Sequence, residues 1–168
     1  KKFFNSYSKG FSSIYTEDDK SRNLFNKLMD KWFREGVYKR YENTLAETQK
    51  ESIRTVLDVG CGPGHHTIAF LHQGKDVTAL DVADEMVDLT KEKVMRFDGN
   101  SKCNYIVDDY MAHSFDQKFD AICVMGFFDY VSDPVTVLKK LISEANKEIY
   151  ISILNESGLL GLQRKIRY

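Results

Sequence analysis

The stretch Val56-Leu57-Asp58-Val59-Gly60-Cys61-Gly62-Pro63-Gly64 decides the fold. A short apolar run, with one acid inside it, ends in a glycine-rich turn. A second apolar run, Val77-Thr78-Ala79-Leu80, ends in Asp81, 17 residues beyond Gly64. Strand, glycine turn, helix, strand and acidic tip is the order of a nucleoside-binding βαβ unit. The glycine spacing narrows this. Dinucleotide folds use G-x-G-x-x-G, where a helix N-terminus receives a pyrophosphate. Here the pattern is G-x-G-x-G followed by His65 and His66, and no lysine follows as in a phosphate-binding P-loop. An NAD-linked oxidoreductase is disfavoured on that ground. A glycine without Cβ lets the backbone turn tightly and a ligand come close. The Asp58 carboxylate suits an ammonium group better than a phosphate, because opposite charges attract.

Outward from this unit the chain alternates strands and helices. Strands are expected at 54–59, 76–80, 104–107, 119–125 and 148–154. Helices are expected at 65–72, 84–97 and from Pro134, and a further one begins at Gly158. Gly74 suits the end of the first of these helices. Gly99-Asn100 suits the end of the second. Asp133 can cap the third, and Pro134 suits its first turn. That helix carries Val137, Leu138, Leu141, Ile142 and Ala145 on one face. The runs 56–59, 77–80 and 121–125 fit strands buried on both sides. The expectation is an α/β fold: a Rossmann-like, doubly wound, mostly parallel sheet with helices on both faces. Ahead of it, residues 22–46 show helical periodicity, with Leu24, Leu28 and Trp32 four apart. Residues 1–46 are therefore expected to form an aromatic lid segment and helix, and residues 47–168 the ligand-binding domain.

Val56 to Gly64 resembles the first motif of the class I S-adenosylmethionine-dependent methyltransferases, and Leu80-Asp81-Val82-Ala83-Asp84-Glu85-Met86 resembles their second. The resemblance covers about residues 32–160. It implies a seven-stranded sheet, of which strands six and seven are absent from this chain. It implies S-adenosylmethionine as cofactor, S-adenosylhomocysteine as product and a methyl group moved to the O, N or C of a small molecule. Asp58 and the backbone of Gly60, Cys61, Gly62 and Gly64 would hold the methionine part. Asp81 would accept hydrogen bonds from both ribose hydroxyls, since a carboxylate has two acceptor oxygens. Val82 and Met86 would lie near the adenosine. Asp109, or its neighbour Asp108, would take the adenine amine, with the Tyr110 backbone at the ring edge. Met125-Gly126-Phe127-Phe128-Asp129-Tyr130 would line the floor between cofactor and acceptor, and no Asn-Pro-Pro-Tyr sequence of the amide- or nucleobase-methylating branch is present. Asp129 or Tyr130 would orient the acceptor or take its proton, and His65 is a third candidate base. Tyr7 and Tyr15 would close over the cofactor.

Two other readings share this pattern. An aminopropyltransferase would need more acids than Asp108, Asp109 and Asp129. A binding module without turnover would keep the cofactor residues alone. Composition excludes other classes. The 168 residues suffice for one domain, and a net charge of −1 supplies no field for nucleic acid or an anionic membrane. No run is long enough for a membrane span, and Lys1-Lys2 leads into no signal-peptide pattern. Cys61, Cys103 and Cys123 fit neither a disulfide framework nor metal spacing. No metal is expected, and reduced thiols point to the cytoplasm.

Overall fold

A computed structural model of the chain describes residues 38–97 and 102–153. Five strands form one sheet: β1 (Thr55–Val59), β2 (Asp76–Asp81), β3 (Cys103–Val107), β4 (Phe119–Val124) and β5 (Ala145–Ile151). Their order is β3-β2-β1-β4-β5. All pairings are parallel, with Val56 opposite Val77 on one side and Ala121 on the other. Helices α1 (38–48), α2 (His65–His72), α3 (Asp84–Phe97) and α4 (Pro134–Glu144) cover it.

Strand alternation decides which helix each residue meets. Val56, Val77, Ala121 and Cys123 face Phe70 of α2, with Leu45 of α1 packed beside them. Ala79 meets Val87 of α3 on the same side. Leu57, Val59, Leu80, Ile122 and Val124 face Val137 and Leu141 of α4. The three central strands are buried on both faces, as their unbroken apolar runs require. Asp58 shares the face of Val56 and therefore points under α2. The order reverses between β1 and β4, so a crevice opens there at the C-terminal strand ends.

Local signals place most boundaries. Asp133 caps α4, accepting from the Thr136 amide at 3.1 Å, and Pro134 opens the helix. Gly74 closes α2 with φ +72°. Two expectations differ, and one feature was not anticipated. The fifth strand starts at Ala145, directly after α4, because Ala145 pairs with Phe119. A 3₁₀ turn, Phe128–Tyr130, interrupts the β4–β5 connection. Ile142 does not share the buried face of α4: it is 66% exposed, because the sheet receives only the stripe through Val137 and Leu141. The expected helix at 22–46 is helical from 38 and runs to 48, and its earlier part lies outside the described residues. So do Gly99-Asn100 and the expected helix from Gly158.

Candidate functional site

The glycine turn adopts the conformation its composition predicts. Gly60, Gly62 and Gly64 have φ of +69°, +52° and +78°, a region costly for residues with a Cβ. Its amides are tied to β2: Gly60 N and Cys61 N both donate to the Leu80 carbonyl, at 2.8 and 3.0 Å. Asp81 completes the tie. Its Oδ2 accepts from Gly62 N and its Oδ1 from Ala83 N, both at 2.9 Å. One carboxylate thus links the glycine turn to the turn after β2, and each oxygen keeps a second lone pair for a ligand. Burial raises its pKa, against the opposing hydrogen bonds from Ala83, Gly62 and Val82.

Asp58 lies beside it, 2% exposed. Thr67 Oγ1 donates to its Oδ2 at 2.6 Å. Burial lifts its carboxyl to about 6, and the charge of Asp81 adds to the rise while Thr67 opposes it. Such a group gains more than an exposed one from a neighbouring cation. Two buried acids beneath a turn of left-handed glycines fit a ligand carrying an ammonium and a diol.

Three further residues shape this cradle: Thr67 and Thr90, which sequence reasoning did not single out, and Phe127, from the run expected to line the floor between cofactor and acceptor. Thr67 supplies the hydrogen bond to Asp58. Thr90 Oγ1 donates to the Gly62 carbonyl at 2.9 Å and fills the space that a Gly64 side chain would need. Phe127 packs against Gly60, at 3.4 Å from where a Cβ would stand, so the β4 loop abuts the glycine turn. Thr67 had a faint signal, a hydroxyl in the first turn of the helix after the glycines. Thr90 had none, and for Phe127 the sequence placed the residue beside the cofactor floor but not its contact with Gly60.

The remaining candidates divide. Cys61 is buried against Val87 and Ala79, and burial raises its thiol pKa. Val82 lies at the end of β2, partly exposed, whereas Met86 is buried in the first turn of α3. Asp108 sits one strand over, its amide donating to the Asp81 carbonyl at 3.1 Å. Both Asp108 oxygens are engaged, by Asp109 N at 2.8 Å and His113 Nδ1 at 2.9 Å. Asp109 Oδ1 accepts from Met111 N at 2.9 Å. The Tyr110 ring is buried in the core. Asp129 and Tyr130 are exposed on the 3₁₀ turn that follows Phe127. Burial pushes His65 and His66 down to about 4, with Lys93 adding for the first and His65 and Arg40 for the second. A histidine so shifted is neutral near pH 7 and a weak base. His66 stacks edge-on to Tyr41, ring centroids 5.1 Å apart. Tyr7 and Tyr15 lie outside the described residues.

A cavity of about 330 Å³ lies between α1 and the ends of β4 and β5, lined by residues including Arg40, Asn43, Met125 and Tyr150. Of the candidate residues only Met125 borders it, so the chemistry gathers at the glycine turn and not there. Among the described residues no cluster of three or more His, Cys, Asp or Glu is arranged for a metal ion. No helix among them is long and apolar enough to cross a membrane.

Comparison with known proteins follows the same lines. The chain is 29% identical over 131 residues to the ubiquinone biosynthesis O-methyltransferase of Hydrogenovibrio crunogenus, covering 72% of this chain and 54% of the relative. It is 26% identical over 111 residues to a probable cobalt-precorrin-6B C(15)-methyltransferase of Thermoplasma acidophilum, covering 64% and 55%. The chain thus spans about half the length of these curated relatives. The fold matches that of magnesium protoporphyrin IX methyltransferase from Synechocystis with bound S-adenosylhomocysteine, at TM-score 0.80 and 20% identity over 99% of this chain and 75% of that one. It also matches the plantazolicin methyltransferase BpumL in complex with a pentazolic desmethylPZN analog and S-adenosylhomocysteine, at TM-score 0.63 and 23% identity over 92% of this chain and 61% of that one. A family profile described as "Methyltransferase domain" matches residues 56–147, which include the glycine turn, both buried acids, β1 from its second residue, and all of β2, β3 and β4. On that match the chain belongs to the methyltransferase domain family, within the class I S-adenosylmethionine-dependent methyltransferases.

Proposed function

We propose that this chain binds S-adenosylmethionine and moves its methyl group to a small-molecule acceptor by in-line displacement, in the cytoplasm. The observation that carries the proposal is the Asp81 carboxylate holding the amides of Gly62 and Ala83 beside the buried Asp58. That arrangement presents a diol acceptor and an ammonium acceptor from one rigid turn. When bound, the cofactor supplies a methyl carbon made electrophilic by its sulfonium.

The protein's part is to bind and to align. Asp58 takes the ammonium, directly or through a water. The glycine turn, Cys61 included, lets the backbone approach the methionine part. Asp81 takes the ribose. Val82 and Met86 flank the adenosine. Asp109, with Asp108 beside it, takes the adenine amine. Phe127 seats the 128–130 turn against the glycines, which brings Asp129 and Tyr130 to the acceptor side, near Met125. Holding the acceptor in line with the methyl and sulfur can supply on the order of 7–11 kcal/mol of the barrier in favourable cases. A strong base is therefore not required, which suits a His65 held at low pKa. The relatives named for ubiquinone and cobalt-precorrin methylation support a small-molecule acceptor.

Calorimetric titration with S-adenosylhomocysteine tests the proposal. Wild type is expected to bind in the micromolar range, and Asp81→Asn to bind about tenfold more weakly, since one charged hydrogen bond is worth roughly 1.5–3 kcal/mol. A folded wild-type chain that gives no binding heat and no methyl transfer from labelled cofactor refutes it.

A further inference from the structure

We propose that Lys140 and Glu144 are positioning residues that fix the Asp108–Asp109 loop, and so set selectivity for the adenine amine. This rests on the cofactor reading above.

The connection from β3 to β4, residues 108–118, contains neither helix nor strand. Its near ties are short-range: the amides of Ala112 and His113 donate to the Asp109 carbonyl at 3.0 and 2.9 Å, the Asp108 and Asp109 carboxylates accept from Asp109 N and Met111 N, and Asp108 N donates to the Asp81 carbonyl. A hydrogen-bonding carboxylate must be placed to within about 0.5 Å to discriminate between ligands. A short turn at a strand end does not by itself provide that. The missing restraint comes from α4, more than twenty residues away along the chain.

Tyr110 is 1% exposed, and its Oη donates to Glu144 Oε2 at 2.7 Å. Glu144 Oε1 accepts from Lys140 Nζ at 2.5 Å. Lys140 Nζ also donates to the His113 carbonyl at 2.8 Å and stands 5.1 Å from the Tyr110 ring centroid. His113 in turn meets Asp108 Oδ2 through Nδ1 at 2.9 Å. Two chains of contact therefore run from one helix face into the loop. One passes from Glu144 to Tyr110, the residue next to Asp109. The other passes from Lys140 through His113 to Asp108.

Energetics point to position more than to stability. A nearly buried ion pair contributes little beyond what apolar side chains of the same size would, because both charges are desolvated. Val137 and Leu141 already seat α4 on the sheet. What the pair does that apolar residues could not is hydrogen-bond the loop at Tyr110 and at His113. The two anchor points lie within the turn that follows Asp109.

The test uses calorimetric titration of the whole chain with two ligands, S-adenosylhomocysteine and S-inosylhomocysteine, which carries a carbonyl oxygen in place of the adenine amine. Wild type is expected to prefer the adenosyl ligand. Tyr110→Phe keeps the ring and removes only the hydroxyl. In it, and in Lys140→Met, the preference is expected to fall about fivefold, the worth of roughly one hydrogen bond, while inosyl affinity changes less than about twofold. Lys140→Arg is expected to restore part of the preference. An unchanged preference in folded variants, an equal loss of both ligands, or a wild type without preference overturns the positioning role. No binding of either ligand by folded wild type overturns the cofactor reading itself.

Discussion

Gly64 and Gly74 separate two costs that glycine usually hides together. Both have left-handed backbones, with φ of +78° and +72°. A Cβ on Gly74 would meet nothing within 4 Å, whereas one on Gly64 would stand 2.6 Å from Thr90 Oγ1 and 2.7 Å from its Cγ2. Gly74→Ala therefore carries backbone strain alone. That is about 1 kcal/mol, after the restriction of the unfolded chain offsets part of it. Gly64→Ala carries the same strain plus overpacking of about 1–3 kcal/mol. Its expected total is about 2–4 kcal/mol. Thr90→Ala alone loses the hydrogen bond to the Gly62 carbonyl and a buried methyl, about 1–2 kcal/mol. It also removes the two nearest clashing atoms. The double variant should then be more stable than the sum of the singles by about 1 kcal/mol or more. Urea unfolding of the four variants at one pH measures this. Equal costs for Gly64→Ala and Gly74→Ala, or strict additivity in the double variant, would refute the view that Thr90 braces the glycine turn.

The Asp58 carboxyl is lifted from its usual 3.8 to about 6, so the folded state holds its proton more tightly than the unfolded state does. Stability from this group is full below pH 4 and declines as pH rises to about 6, by roughly 3 kcal/mol at about 1.4 kcal/mol per pH unit. Urea midpoints of wild type relative to Asp58→Asn across pH 4–8 should show that decline. The proposed ammonium contact has the opposite slope, with S-adenosylhomocysteine affinity rising between pH 5 and 7 in wild type and flat in Asp58→Asn by calorimetry. Thr67→Val removes the hydroxyl that Asp58 uses, so its cost should be about 1.5–3 kcal/mol at pH 8 and smaller near pH 4.5, where the carboxyl is neutral. On α4, Leu141→Ala should cost about 2–5 kcal/mol, while Ile142→Lys should stay within about 0.5 kcal/mol in thermal or urea unfolding.

Elements carried by local chemistry were legible in the sequence. The apolar runs at 56–59, 77–80 and 121–125 state burial on both faces without reference to any partner. The glycines state a tight turn of the backbone, and Asp133-Pro134 states a helix start. Ile142 shows where this stops. Periodicity puts it within reach of the apolar stripe, but only the placement of α4 on the sheet decides which edge of the stripe is covered. The start of β5 at Ala145 was likewise hidden, because it depends on pairing with Phe119.

The sequence by itself determined the fold class, the place of the glycine turn and the two acids beside it, since each follows from residue type and short spacing. Only the tertiary structure decided how those residues are held. Asp81 reaches Gly62 across 19 positions, Thr90 reaches it across 28, and Tyr110 reaches Glu144 across 34. A hydroxyl or a carboxylate carries no mark of a partner that far along the chain. Such contacts exist only once the sheet order has brought the strand ends together.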